Sequence, residues 1–190
     1  MIILRTLCYV ALVVLLGAGI ASCVSPPDYP DTPEISFKKI ESSRIVKSTG
    51  SYDTVSVTIS FKDGDGDLGL DNSDTGYPYS RLDQNNQLNK YYNNYFMTMQ
   101  VQESNGNFVD LPLGTLDYNS RYPRLSPEAQ GGRKTPLRGD LTFGLTITQG
   151  TLRVIKPDLP AQIMVRFKVR IVDRALHESN EIITDPIATR

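Results

Sequence analysis

The 190-residue chain has no tryptophan, one histidine and two cysteines, and both cysteines, Cys8 and Cys23, sit at its N-terminal end. Each scarcity excludes something. With no cysteine in the body, no disulfide framework holds the fold together. With one histidine and no cysteine there, no Cys/His zinc set can be assembled. No Gly-x-Ser-x-Gly elbow is present to seat a nucleophilic triad. Neither sign of charge dominates: 20 Lys+Arg stand against 21 Asp+Glu, with a sequence pI near 5.8. A chain without a basic footprint is not expected to take nucleic acid as a partner. What remains is 39% hydrophobic and 22% charged, ordinary for one folded domain of moderate size.

Residues 1–22, MIILRTLCYVALVVLLGAGIAS, place Arg5 before an apolar run from Leu7 to about Leu16, followed by Gly17, Ala18, Gly19, Ala21 and Ser22. This is the charge, core and small-residue order of a secretory signal peptide. The apolar run is short for a retained transmembrane anchor, which needs ~20 residues. Ile20-Ala21-Ser22-Cys23 resembles a bacterial lipobox, and that resemblance implies cleavage before Cys23 and a lipid on Cys23. Cys8 then leaves with the signal. Ser25 stands where an Asp would retain some Gram-negative lipoproteins at the inner membrane, so the resemblance points to the outer membrane. In residues 23–33, four prolines (Pro26, Pro27, Pro30, Pro33) form a semi-rigid, extended spacer between the lipid and the domain.

From residue 34 to 190 the apolar period is two. Val55, Val57, Ile59 and Phe61 alternate with polar residues, as do Ile163, Val165, Phe167, Val169 and Ile171, and Leu141, Phe143, Leu145 and Ile147. This alternation predicts half-buried antiparallel strands. No segment after residue 23 shows a helical period. About seven strands are expected: A (35–41), B (54–62), C (95–103), C′ (107–111), E (138–148), F (162–172) and G (180–185). Ile35, Phe37 and Ile40 break parity and predict a bulge in an edge strand. The expected fold is an all-β, immunoglobulin-like antiparallel β-sandwich. Two connections, 71–94 and 112–137, exceed the ~12–15 residues that a compact domain usually leaves without structure.

Strand B runs into Lys62-Asp63-Gly64-Asp65-Gly66-Asp67-Leu68-Gly69-Leu70-Asp71-Asn72-Ser73-Asp74. Alternating Asp and Gly can aim carboxylates inward around a tight loop, as a hard cation such as Ca²⁺ requires. The loop resembles an EF-hand loop, with Asp63, Asp65, Asp67, Asp71 and Asp74 at its positions 1, 3, 5, 9 and 12. It departs in having Leu68 at the sharp-turn glycine, Asp instead of Glu at the end, and a strand before it. That excludes a true EF-hand but not an irregular calcium loop. Parity makes Asp63 the inward residue after Phe61 and Asp173 the inward residue after Ile171. The B–C and F–G loops share a pole in such a sandwich, so Asp63 and Asp173 are expected to converge there with Asp65 and Asp67 nearby, and Asp63, Asp65, Asp67, Asp71 and Asp173 are the candidate metal ligands. A metal or Arg174 must then neutralise them. The other reading is turn chemistry alone, with Asp accepting local N–H bonds and Gly supplying positive φ.

Tyr77, Tyr79, Tyr91 and Tyr92 either form a stacking platform for a glycan or protein partner, or pin their long loop to the sandwich. His177 reads as a solvated turn residue.

The lipobox, the Pro/Asp spacer, Phe61-Lys62-Asp63-Gly64-Asp65-Gly66-Asp67-Leu68-Gly69, and Val172-Asp173-Arg174-Ala175 followed by Ser179-Asn180 resemble small uncharacterised lipoproteins of Bacteroidetes. The resemblance covers 34–72 and 162–185 and supports location and fold without bringing an activity. Two readings follow. One is a non-enzymatic, lipid-anchored cell-envelope module that binds a partner or stabilises an assembly, with calcium rigidifying one pole. The other is a carbohydrate-binding accessory of a glycan-uptake system.

Overall fold

The computed structural model describes residues 27–112, 117–125 and 135–189. The expected signal peptide, Cys23 and the start of the linker lie outside them. Two antiparallel sheets face each other. The first orders β1 (Glu34–Lys47), β2 (Gly50–Asp63) and β5 (Leu137–Ile147) as β1-β2-β5. The second orders β3 (Tyr95–Gln102), β4 (Phe108–Asp110), β6 (Met164–Ile171) and β7 (Ile182–Ile183) as β4-β3-β6-β7, with β8 (Ile187–Ala188) also on β6. This is the immunoglobulin-like division expected from the strand pattern, A-B-E against C′-C-F-G.

The period-two residues supply the core. Val57 and Ile59 of β2, Met99 and Val101 of β3, and Val165, Phe167 and Ile171 of β6 are all fully buried. Burying each such side chain contributes roughly 1.5–3 kcal/mol. Tyr95 stacks on Phe143 across the two sheets, with ring centroids 5.3 Å apart. The register shift between Phe37 and Lys39 is the bulge that the broken parity of strand A predicts.

Three features differ from the strand reading. The β1–β2 hairpin runs from 34 to 63, longer at its turn end than strands A and B. A helix, α1 (Gln149–Ile155), follows β5, with the Thr148 side chain accepting from the Thr151 N–H at its start. It has two turns and buries only Leu152, too little for a period of 3.6 to show. Strand G is shorter than expected: within 180–185 only Ile182–Ile183 forms β7, β8 lies beyond it, and between them Phe167 N–H donates to the Thr184 hydroxyl at 3.0 Å.

The β2–β3 connection leaves and returns at one pole, while the β5–β6 connection with α1 lies at the other. β1, β3 and β5 begin at the first pole; β2 and β6 end there. Segment 119–122 is tied to the start of β3, where Asn94 and Tyr122 exchange hydrogen bonds of 2.9 and 3.2 Å.

Candidate metal centre

β2 delivers Asp63 to this pole on the core side, beside Leu137 of β5. The chain then turns through Gly64, whose N–H donates to Pro30 O at 2.8 Å. A Cβ on Gly64 would lie 2.1 Å from Tyr29 O, so only glycine lets the linker dock there. Gly66 has φ +72°, and its Cβ would meet Thr135 O at 2.1 Å. Leu68, at the position where an EF-hand turns on glycine, is buried as a plug, and its carbonyl accepts from Leu125 N–H at 3.1 Å.

Asp63 and Asp173 meet as parity predicts, and Asp65 and Asp67 join them: one carboxylate oxygen of each lies within 4.8 Å of those of the other three. Asp63 and Asp173 are 0% and 2% exposed. Local turn bonds use part of this oxygen set. Asp67 N–H donates to Asp63 Oδ2 at 3.1 Å, Arg174 N–H to Asp67 Oδ1 at 3.4 Å, and His177 N–H to Asp173 Oδ1 at 2.7 Å. Asp63 Oδ1 is buried and has no hydrogen-bond partner. Turn chemistry therefore accounts for some of the carboxylate oxygens, and this one is left over.

The electrostatics follow from the crowding. Burial, then the charges of Asp65, Asp67 and Asp173, push the Asp63 carboxyl up to about 7. Burial, then Asp173 and Asp65, push Asp67 up to about 6. Asp173 is also raised, first by burial, against the opposing pull of His177.

Arg174 is not the counter-charge that the sequence offered. Its guanidinium lies 3.7 Å from Asp74. His177 takes part of that role: its Nδ1 is 2.8 Å from Asp173 Oδ2, which raises the imidazole pKa. It is half solvated yet bound to the cluster, a partnership that no sequence signal announced. Asp71 and Asp74 turn away from the four. Arg124 Nε lies 2.7 Å from Asp71 and its Nη2 lies 3.0 Å from Asp74. The EF-hand positions 9 and 12 thus form a separate ion-paired loop.

The tyrosines divide. Tyr79 donates its hydroxyl to Arg174 O, Tyr91 to Glu178 at 3.3 Å, and Tyr92 lies under the Arg121 guanidinium at 5.0 Å. Only Tyr77 of the four is widely exposed. Arg121, absent from every sequence motif, donates to the carbonyls of Asp71, Asp74, Tyr79 and Tyr92 at 3.0–3.2 Å.

Fold and site together define an immunoglobulin-type sandwich with an acidic pole. No protein-family model matches the chain, and no curated protein matches it. Among solved structures it is similar to the X-ray structure of a Northeast Structural Genomics Consortium target, at 10% identity, over 83% of this chain and 85% of that one, with a TM-score of 0.32. That likeness is too loose to place any residue.

Proposed function

We propose that the protein is a non-enzymatic, lipid-anchored module of the cell envelope, held at the outer membrane through Cys23, whose acidic pole binds a structural calcium ion. The observation that carries the cation is Asp63 Oδ1, a fully buried carboxylate oxygen without a partner among four converging carboxylates. The donor set fits. Ca²⁺ takes oxygen ligands at ~2.3–2.6 Å, which puts opposed ligands about 5 Å apart, whereas Mg²⁺ at ~2.1 Å wants a smaller cage. The four oxygens lie within 4.8 Å of one another, close enough for one ion to reach all of them, and an all-carboxylate set on a loop suits the more adaptable Ca²⁺. Asp63, Asp65, Asp67 and Asp173 would hold it, and its chemistry here is to cancel their repulsion and fasten the B–C loop to the F–G turn. No helix among the described residues is long and apolar enough to cross a membrane; in this reading attachment is through the lipid on Cys23.

A thermal melt in EDTA and then in added Ca²⁺ tests the centre. Calcium at 100 times its Kd stabilises a folded protein by ~2.7 kcal/mol, and an unchanged midpoint would overturn the calcium assignment. The anchor is tested separately: Cys23→Ala is expected to move the protein from the membrane fraction to the soluble one.

A further inference from the structure

Among the described residues, six large hydrophobic side chains stay exposed, and three of them, Tyr77, Leu82 and Leu88, fall in a single loop. Leu82 and Leu88 oppose each other in an antiparallel bridge, so their side chains point to the same side. Leu88 is 76% exposed and Tyr77 is 75% exposed. The tip between the leucines is well ordered by its own bonds. Asp83 N–H donates to Gln87 O at 2.8 Å, and Asp83 Oδ1 accepts from the N–H groups of Asn85 and Gln87 at 2.8 and 2.9 Å. Those bonds turn the only carboxylate in 81–90 onto the tip's own backbone; the rest of the tip is neutral amides, with Arg81 on one side and Lys90, ion-paired to Glu178, on the other. At its base the loop is fixed by Arg121 and Tyr79. A rigid tip that keeps two leucines in water on one side, in a loop that also exposes Tyr77, suits the boundary between headgroups and acyl chains.

The position of the N-terminal chain decides the occupant. The linker reaches the fold at this same pole, where Pro30 O accepts from Gly64 N–H and the Tyr29 ring lies under Lys62 at 5.7 Å. The described chain therefore begins at the pole from which the 64–94 loop extends. We propose that the 77–88 loop is a membrane-contact finger, with Tyr77, Leu82 and Leu88 seated in the lipid surface to which the N-terminus is tethered. This rests on the lipid-anchor reading for the nearness of that surface, but the finger can be tested apart from it.

The chain has no tryptophan, so Leu88→Trp introduces a single reporter. Val46→Trp is the control, because Val46 is equally exposed at the opposite end of the β1–β2 hairpin. Each full chain is mixed with phosphatidylethanolamine–phosphatidylglycerol vesicles, with or without bromine on the acyl chains. A side chain seated ~5–10 Å into the interface comes within reach of the bromine. The Leu88→Trp indole is expected to shift to the blue and lose about half its emission, with Val46→Trp unchanged. Sedimentation with the vesicles reports the tether. If the chain sediments and the Leu88→Trp indole is not quenched, the finger is wrong and the anchor stands. If the chain is unlipidated but the indole is quenched in excess vesicles, the finger stands and the anchor falls. Equal quenching of both reporters, or a blue shift that grows with protein concentration without lipid, overturns the finger in favour of non-specific adsorption or a second copy.

Discussion

At the scale of single residues the decisive group is Asp63. It has no exposure, the backbone N–H groups of Asp67 and Gly66 serve its carboxylate, and its Oδ1 lies buried without a partner. Replacing a buried charge among like charges by a neutral isostere removes repulsion. At pH 8, where Asp63 is ionised, Asp63→Asn is therefore expected to raise the melting midpoint in EDTA and to abolish the rise produced by Ca²⁺, read in paired melts of parent and variant. A variant that still responds fully to Ca²⁺ would place the ion elsewhere. Gly64 makes a second residue-scale prediction. The Cβ of Gly64→Ala would lie 2.1 Å from Tyr29 O and 2.7 Å from Pro30 O, both backbone atoms that cannot swing aside. The linker must detach from the pole while the sandwich stays folded. Limited proteolysis is expected to cut between residues 24 and 33 faster in the variant, with the midpoint of the core little changed.

At the scale of elements, the 71–92 loop depends on Arg121. Hydrogen bonds from a charged donor contribute about 1.5–3 kcal/mol each, and the four carbonyls Arg121 serves lie in Asp71, Asp74, Tyr79 and Tyr92. Removing the guanidinium strands several of them together. Arg121→Ala is expected to free the loop from the sandwich: amide exchange in 71–92 should accelerate by at least an order of magnitude while β2, β3 and β6 keep their protection. Uniform loss of protection would show that the loop is part of the cooperative core. The contrast with the strands explains what the sequence revealed. Strands B, C, E and F were legible because each buries one face, which imprints a period of two over many residues. The same parity carried Asp63 and Asp173 to their meeting point, one inward step past Phe61 and Ile171. Arg121 left no imprint, since it bonds backbone carbonyls, whose positions depend on the fold and not on side-chain identity. His177 was missed for a related reason: it reaches Asp173 through a tight turn four residues long, and no spacing rule separates that from a solvated histidine. Asp71 stands apart from the four because a loop motif numbers positions along the chain, while Arg124, distant in sequence, decides where its carboxylate points.

At the scale of the whole molecule, the acidic pole should make stability depend on pH in an unusual direction. Most carboxylates in folded proteins are held below their unfolded pKa; Asp74, Asp110, Asp140 and Glu178 are of that kind here, each held down by a cation or hydrogen-bond donor. Their contribution is present above the unfolded value and is lost only as the pH falls through the lowered one, below about pH 4. Asp63 and Asp67 work the other way. Folding holds their carboxyls at about 7 and about 6, whereas an unfolded aspartate titrates near ~3.9. Between about pH 4 and 7 the folded state therefore binds protons that the unfolded chain has released, and its stability falls as the pH rises through that window. Asp173 adds to the fall, and so does His177, whose raised pKa stabilises the fold only while the ring is protonated. In EDTA the protein is expected to melt higher at pH 5 than at pH 8, by several degrees for a domain of this size. Calcium reverses the order. Its ligands must be ionised to bind, so it cancels the repulsion where the cation-free protein suffers most and competes poorly with protons at pH 5. With saturating Ca²⁺ the midpoint should be higher at pH 8 than at pH 5. The crossing of the two series separates a cation site from a cluster that is merely crowded, because turn chemistry alone would give the first slope and leave the second unchanged.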